Sequence, residues 1–149
     1  MKCEDVFDFL RQKRLAVIST VHPLGTPESA LIGFAVTPEL GFVFDTFSTS
    51  RKAMNLKARP EAALVVGWDD EITVQIEGVA YQPQGVELDA AKAAYFSVWP
   101  LGRDRESWPD IVYFVVSPRW MRYSSFVAGP EIAEFTFGRH AGNYERDSS

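Results

Sequence analysis

Between Thr46 and Pro60 the chain reads Thr-Phe-Ser-Thr-Ser-Arg-Lys-Ala-Met-Asn-Leu-Lys-Ala-Arg-Pro, which places hydroxyls and cations where an anion could be held. An apolar run, Phe42 to Phe44, precedes this stretch, and Met54 and Leu56 belong to a helical pattern that follows. Ser48, Thr49 and Ser50 stand where helix N-caps belong, so Arg51 and Lys52 fall in the first helical turn. A helix N-terminus carries partial positive charge and favours acids, yet this one receives two cations and no acid. A phosphate removes the conflict, because free backbone N–H groups, hydroxyls and both cations would act on one anion. The segment holds Arg51, Lys52, Lys57 and Arg59 without Asp or Glu, in a chain whose net charge is -5. A solvated helix start with ordinary surface cations is the competing reading of the same residues.

Other chemistries lack a residue set. No Gly-x-Gly-x-x-Gly, Walker loop or nucleophile elbow occurs. His22 lies in a turn, His140 lies near the C-terminal end, and Cys3 is the single cysteine, so no metal cluster is expected at recognisable spacing. Nothing supports a Ser–His–Asp triad, and Asp69-Asp70-Glu71 reads as a solvated hairpin tip. The sequence therefore identifies no catalytic residue. Redox chemistry here would have to come from a bound cofactor.

These residues must be positioned by a fold of ordinary globular composition: 149 residues, 46% hydrophobic and 23% charged. Eleven Phe, five Tyr and four Trp suit a β-rich core and equally suit stacking on a planar ligand. The acidic balance argues against broad binding to nucleic acid or to a membrane surface. One cysteine fits a reducing compartment, no run approaches a membrane span, and the N-terminus lacks signal-peptide order, so a cytoplasmic location is expected.

Met1 to Lys13 reads as a short amphipathic helix with Val6, Phe9 and Leu10 on one face. Strands are expected at Arg14–Thr20, Glu28–Val36 and Gly41–Thr46, joined by two short turns into an antiparallel meander. The basic helix runs from Ser50 and stops before Pro60. Further strands are expected at Ala62–Trp68 and from Ile72 towards Tyr81, where Ile72-Val74-Ile76 alternates with Thr73-Gln75-Glu77 and Gly78 marks a bulge. Val86–Val98 reads as a helix, Leu101–Pro109 as an irregular loop, and Asp110–Pro118, Trp120–Val127 and Ile132–Phe137 as strands. A single domain over residues 1–137 and a polar tail over 138–149 follow. The chain shows no βαβ alternation, so a small β-barrel is expected rather than a parallel sheet.

The order strand, Thr, Ser-Arg-Lys helix start, Pro-led strand, Trp, then an alternating strand ending Glu-Gly resembles the pyridoxamine 5'-phosphate oxidase-like family, the FMN-binding split barrels. The likeness runs from Leu15 to about Gln82, with weaker agreement to Phe126. It implies a mainly β fold, a six-stranded split barrel with flanking helices, and a homodimer with the cofactor at its interface. It also implies that Thr46, Ser50, Arg51 and Lys52 hold the FMN phosphate. The backbone of Ala30, Leu31, Ile32 and Gly33, on to Phe34, would lie along the isoalloxazine ring, and Thr73, with Gln75, would reach the flavin.

The chain also departs from the oxidase proper. Ala30 and Ala35 occupy positions where that enzyme has Arg and Lys, and Ser124 with Val127-Ala128-Gly129 replaces its C-terminal Trp and Arg/His set. The resemblance therefore implies an FMN-dependent oxidoreductase acting on an unidentified small substrate. The alternatives are a flavin-binding or sensor protein without turnover, and a binder of another phosphate-bearing cofactor such as the deazaflavin F420. Trp68, Trp99 and Trp120 either pack in the core or stack near the ring. Arg119 and Arg122 are expected on opposite strand faces.

Overall fold

The computed structural model describes residues 1–138 together with the two-residue strand Tyr144–Glu145. The remainder of the expected polar tail, His140 included, lies outside the described residues. Thirteen elements follow one another: α1 (Cys3–Arg11), β1 (Leu15–Val21), β2 (Pro27–Gly33), β3 (Ala35–Val36), β4 (Phe42–Phe47), α2 (Arg51–Ala58), β5 (Glu61–Val66), β6 (Ile72–Tyr81), α3 (Gly85–Val98), α4 (Gly102–Arg105), β7 (Ile111–Ser125), β8 (Glu131–Phe137) and β9 (Tyr144–Glu145). The architecture is mainly β, an antiparallel sheet curled into a half barrel and flanked by helices.

Strand neighbours run β2-β1-β5-β6-β7-β4-β3, with β8 on β7 and β9 on β8. The expected meander is thus split. One continuous second strand was expected over Glu28–Val36, but it breaks at Phe34: β2 pairs with β1, and β3 pairs with β4. Phe34 is fully buried, and its N–H donates to the carbonyl of Arg14, the residue before β1, at 3.0 Å, the last bond on that side before the chain turns to β4. The two ends of the strand path are therefore consecutive in the chain, and the sheet curls back to its own start.

The two strands expected on either side of Pro118 form one fifteen-residue strand, β7. Its first half pairs with β4 and its second half with β8, and Pro118 sits where it changes partner. Proline, which lacks an N–H, is tolerated at such a junction. Opposite it, Glu77 pairs with Trp120 and Gly78 with Pro118, leaving Arg119 as the extra residue of a bulge. Gly78 is required there, since a Cβ would lie 2.6 Å from the Ser117 carbonyl oxygen. The loop expected at Leu101–Pro109 contains one helical turn, α4.

The core explains why these sequences take these forms. On β6, Val74, Ile76 and Ala80 are buried while Gln75, Glu77 and Tyr81 are exposed, the alternation of a one-sided strand. β4 does not alternate, because both of its faces are covered. Phe42 and Phe44 point into the barrel with Phe34 and with Phe7 from α1, whose ring stacks on Phe42 at 6.1 Å. Val43 faces the other way, against Ala91, Tyr95 and Phe96 of α3. Each fully buried Phe contributes on the order of 1.5–3 kcal/mol of transfer free energy. Among the described residues no helix is long and apolar enough to cross a membrane.

Candidate functional site

α2 begins where the sequence places it. Ser50 is extended (φ -67°, ψ 153°), and its Oγ accepts the Ala53 N–H at 3.2 Å. Arg59 is also extended ahead of Pro60, and the helix ends there. Thr46 Oγ1 lies 2.9 Å from Ser50 Oγ. Thr46 is only 8% exposed, so its hydroxyl fixes the cap from behind and does not face solvent. Arg51 and Lys52 are the first two helical residues, and their N–H groups have no intrahelical acceptor. With the exposed Thr49 and half-buried Ser48, they give this helix end an outward-facing set of donors.

The two cations diverge. Arg51 is 75% exposed at its side chain, and its guanidinium reaches Glu28 Oε2 on β2 at 2.6 Å. Lys52 is half-buried; desolvation lowers its pKa, and the charge of Asp45 on β4 opposes that shift. The segment has no acid of its own, but the fold supplies one from each neighbouring strand. Glu28 is held further by Asn55, whose Nδ2 donates to Glu28 Oε1 at 2.9 Å and to Thr20 Oγ1 at 3.0 Å. The hydrogen bond from Asn55, then that from Arg51, keeps the Glu28 carboxyl below its ordinary range.

Sequence reasoning missed Glu28, Asn55 and Asp45. Asn55, a weak helix former in mid-helix and 2% exposed, was the one local signal. Glu28 and Arg51 are 23 residues apart, and only the fold joins them.

Asp45 belongs to a second polar group under α3. Tyr95 donates its hydroxyl to Asp45 Oδ1 at 2.9 Å, and Arg105 Nε reaches Asp45 Oδ2 at 3.2 Å. Tyr113, directly opposite Asp45 in the β4–β7 ladder, is 6% exposed, and burial above all pushes its hydroxyl up to about 12.

β2 carries Ala30, Leu31, Ile32 and Gly33. Among the described residues it pairs with β1 alone, so its other edge presents unpaired backbone N–H and C=O groups. The Glu28–Arg51 ion pair ties this strand to the start of α2. At its far end, Trp99 lies against Gly33, where a Cβ would come within 2.7 Å of the indole. Trp99 Nε1 donates to the Phe34 carbonyl at 3.1 Å, and the Arg14 guanidinium covers the ring at 4.3 Å.

Thr73 and Gln75 are placed elsewhere. Leu31, Val17, Val65 and Gln75 form one row across β2, β1, β5 and β6, so Gln75 lies three strand spacings, roughly 14 Å along the sheet, from β2. The Thr73 hydroxyl donates to the Gly67 carbonyl at 3.0 Å. None of the three candidate tryptophans is fully buried: Trp68 is 49% exposed, and Trp99 and Trp120 are half-buried. The β7 bulge overturns the expectation that Arg119 and Arg122 face opposite ways. Arg119 lines a cleft of about 420 Å³ with Glu61, Ala63 and Glu77 on the outer sheet face. Arg122 lies opposite exposed Gln75 and binds Glu134 at 2.8 Å.

Comparison with known proteins agrees with this fold. A curated pyridoxine/pyridoxamine 5'-phosphate oxidase from Thermosynechococcus vestitus is 37% identical over 100 residues, covering 66% of this chain and 46% of that protein. The chain thus spans about half the length of that relative. Among solved structures, a pyridoxamine 5'-phosphate oxidase-related, FMN-binding protein from Nostoc punctiforme superposes with a TM-score of 0.74 at 13% identity, covering 100% of this chain and 98% of that one. A heme-binding protein from Mycobacterium smegmatis shares the fold, with a TM-score of 0.73 at 20% identity, covering 83% of this chain and 53% of that one. The sequence profile of the pyridoxamine 5'-phosphate oxidase family matches residues 4–125, and the chain belongs to that family.

Proposed function

We propose that this chain binds FMN, with the phosphate at the start of α2 and the ring along the open edge of β2, and oxidises or reduces a small substrate. The observation that carries the reading is a helix end with no acid in its own first turn, where free N–H groups, hydroxyls and the flanking cations Arg51 and Lys52 lie together, tied through the Arg51–Glu28 pair to an unpaired strand edge. The donor set fits a phosphate. The edge groups of Ala30 to Gly33 fit the polar rim of a planar ring, and Ile32 and Leu31 supply apolar surface. FMN, when bound, supplies the two-electron redox chemistry that no side chain here can perform. The protein's part is to hold the phosphate, orient the ring and exclude water.

The true vitamin oxidation is not the activity we favour. Ala30 and Ala35 offer no charge, and Ala35 is 2% exposed beneath α3. One observation favours a flavin carrier without turnover: Ala30, Leu31, Ile32 and Gly33 carry no group that could move a proton. The same reading makes the protein a homodimer with cofactor at the interface. Support comes from exposed apolar residues on the outer sheet face, Leu31 at 61%, Val65 at 37% and Ile132 at 49%. Thr73 and Gln75 of a second copy would then complete the ring's surroundings.

The test is spectroscopic. Purified protein titrated with FMN should quench flavin fluorescence at one site per chain and sediment as a dimer. Selective retention of a deazaflavin would replace FMN with F420, and a Soret band on hemin titration without flavin binding would overturn the flavin reading. Substrate-dependent bleaching of the bound flavin separates enzyme from carrier.

A further inference from the structure

The C-terminal end of α3 stands beside the far end of β2, and two arginines gather on it. Trp99, the residue that closes α3, abuts Gly33 and bonds the Phe34 carbonyl, so this helix end is fixed to the strand. Arg14, the residue before β1, lays its guanidinium over the Trp99 ring, and its Nη2 donates to the Val98 carbonyl at 2.9 Å. Arg103, in α4, lays its guanidinium over the Phe96 ring at 5.2 Å. Phe96 and Trp99 are three residues apart and so share a helix face. Gly102 holds α4 close to that end, since a Cβ there would come within 2.9 Å of the Tyr95 ring and 3.2 Å of the Phe96 ring.

Both arginines are exposed, and among the described residues neither has a carboxylate partner, whereas Arg11, Arg51, Arg105 and Arg122 are all ion-paired. A guanidinium lying on an aromatic ring uses its face and keeps its edge, where the N–H donors point, for an anion. Arg14 commits one of its five donors to Val98. The charge of the anion follows from the helix. A helix C-terminus carries partial negative charge, which favours the two cations but opposes a dianion. A singly charged carboxylate suits this end of β2, as a phosphate suits the other. Gly33 lies five residues beyond Glu28, about 17 Å along the strand, so a flavin with its phosphate at α2 would direct its ring towards Trp99.

We infer that Arg14 and Arg103 form the anion subsite for the substrate, so that the small molecule oxidised or reduced here carries a carboxylate. The inference rests on the flavin reading above and deepens it by naming the substrate class.

The experiment titrates benzoate, benzamide and phenyl phosphate into wild type, Arg14→Gln and Arg103→Gln, each as FMN-loaded and as apo-protein. The flavin absorption band reports the loaded form and tryptophan fluorescence the apo form, with near-UV circular dichroism as a check of folding. Wild type should bind benzoate roughly tenfold or more tighter than benzamide, with a shift of the flavin band, and should bind phenyl phosphate no better than benzoate. Each substitution should weaken benzoate roughly ten- to a hundredfold while leaving benzamide and FMN affinity within about twofold. Should Arg14→Gln disturb the fold through Val98, the exposed Arg103→Gln carries the test. Equal binding of benzoate and benzamide overturns the proposal, as does benzoate affinity that survives both substitutions. Benzoate binding that leaves the flavin band unmoved puts the anion away from the ring and also overturns it, and a preference for phenyl phosphate overturns the carboxylate class. Failure of FMN to bind removes the flavin reading separately. Benzoate binding to the apo-protein that Arg103→Gln abolishes would then uphold the anion subsite alone, and its absence would remove both.

Discussion

Replacing Arg51 by alanine is the substitution on which the phosphate site depends most. Among the described residues the guanidinium makes one hydrogen bond, to Glu28 at 2.6 Å, and its side chain is 75% exposed, which leaves most of its five donors available to an anion. Losing a charge-assisted contact to phosphate costs about 1.5–3 kcal/mol, roughly ten- to a hundredfold in FMN affinity. The apo-protein should hardly notice. An exposed ion pair contributes little, and its loss is opposed by removing a cation from the positive end of α2, worth about 0.3–1 kcal/mol. Glu28 also remains held by Asn55. Lys57→Ala, on the same helix but away from its start, is the matched control and should leave FMN affinity unchanged. Fluorescence titration of the three proteins, paired with urea unfolding of their apo forms, reads both quantities. Equal FMN affinity for wild type and Arg51→Ala would refute the phosphate site. A large loss of apo stability would show instead that Arg51 is chiefly structural.

Further outcomes follow from the same cluster and from the far end of β2. Asn55→Ala leaves the buried Thr20 hydroxyl without its donor and should lower unfolding stability by about 1–3 kcal/mol, read from the urea midpoint. The Glu28 carboxyl is depressed in the fold by Asn55 and then Arg51, so its stabilisation is complete above the ordinary carboxylate value, about 4.3, and fades as pH falls through the lower folded value. Wild type should therefore lose stability below about pH 4.3 more steeply than Glu28→Gln, and Glu28→Gln, with Arg51 released, should bind FMN more tightly at low than at high ionic strength. Gly33→Ala drives a methyl group to 2.7 Å from Trp99 and should cost about 1–3 kcal/mol while shifting the tryptophan near-UV signal.

Much of the fold was legible because its causes are local. The helix over Ser50 to Arg59 was readable from a hydroxyl cap and a closing proline, the alternation of Ile72 to Glu77 from period two, and the bulge from Gly78. What could not be read depended on partners distant in sequence. Nothing near Phe34 announces that Ala35 leaves β1 for β4, since the break is set by where the curled sheet meets itself. Pro118 looked like a strand terminator, yet β7 continues through it because the change of partner and the bulge absorb the missing N–H. The face of Arg119 was misjudged for the same reason, as one extra residue reverses the alternation behind it. At the candidate site the hydroxyls and cations were visible, but their counter-charges were not.

Those counter-charges bear on how the site would work. An acid-free helix end with two cations invites an anion, but Glu28 and Asp45 already lie on either side, each held by neutral donors, Asn55 and Tyr95 respectively. The carboxylates therefore do not depend on Arg51 or Lys52 for their hydrogen bonds. A phosphate could draw either cation away without leaving a buried carboxylate unpaired, which would otherwise be costly. Arg51 would exchange one ionic partner, Glu28, for another, so part of the ordering cost that usually weakens a long cationic side chain as a ligand is met for it in the folded apo-protein.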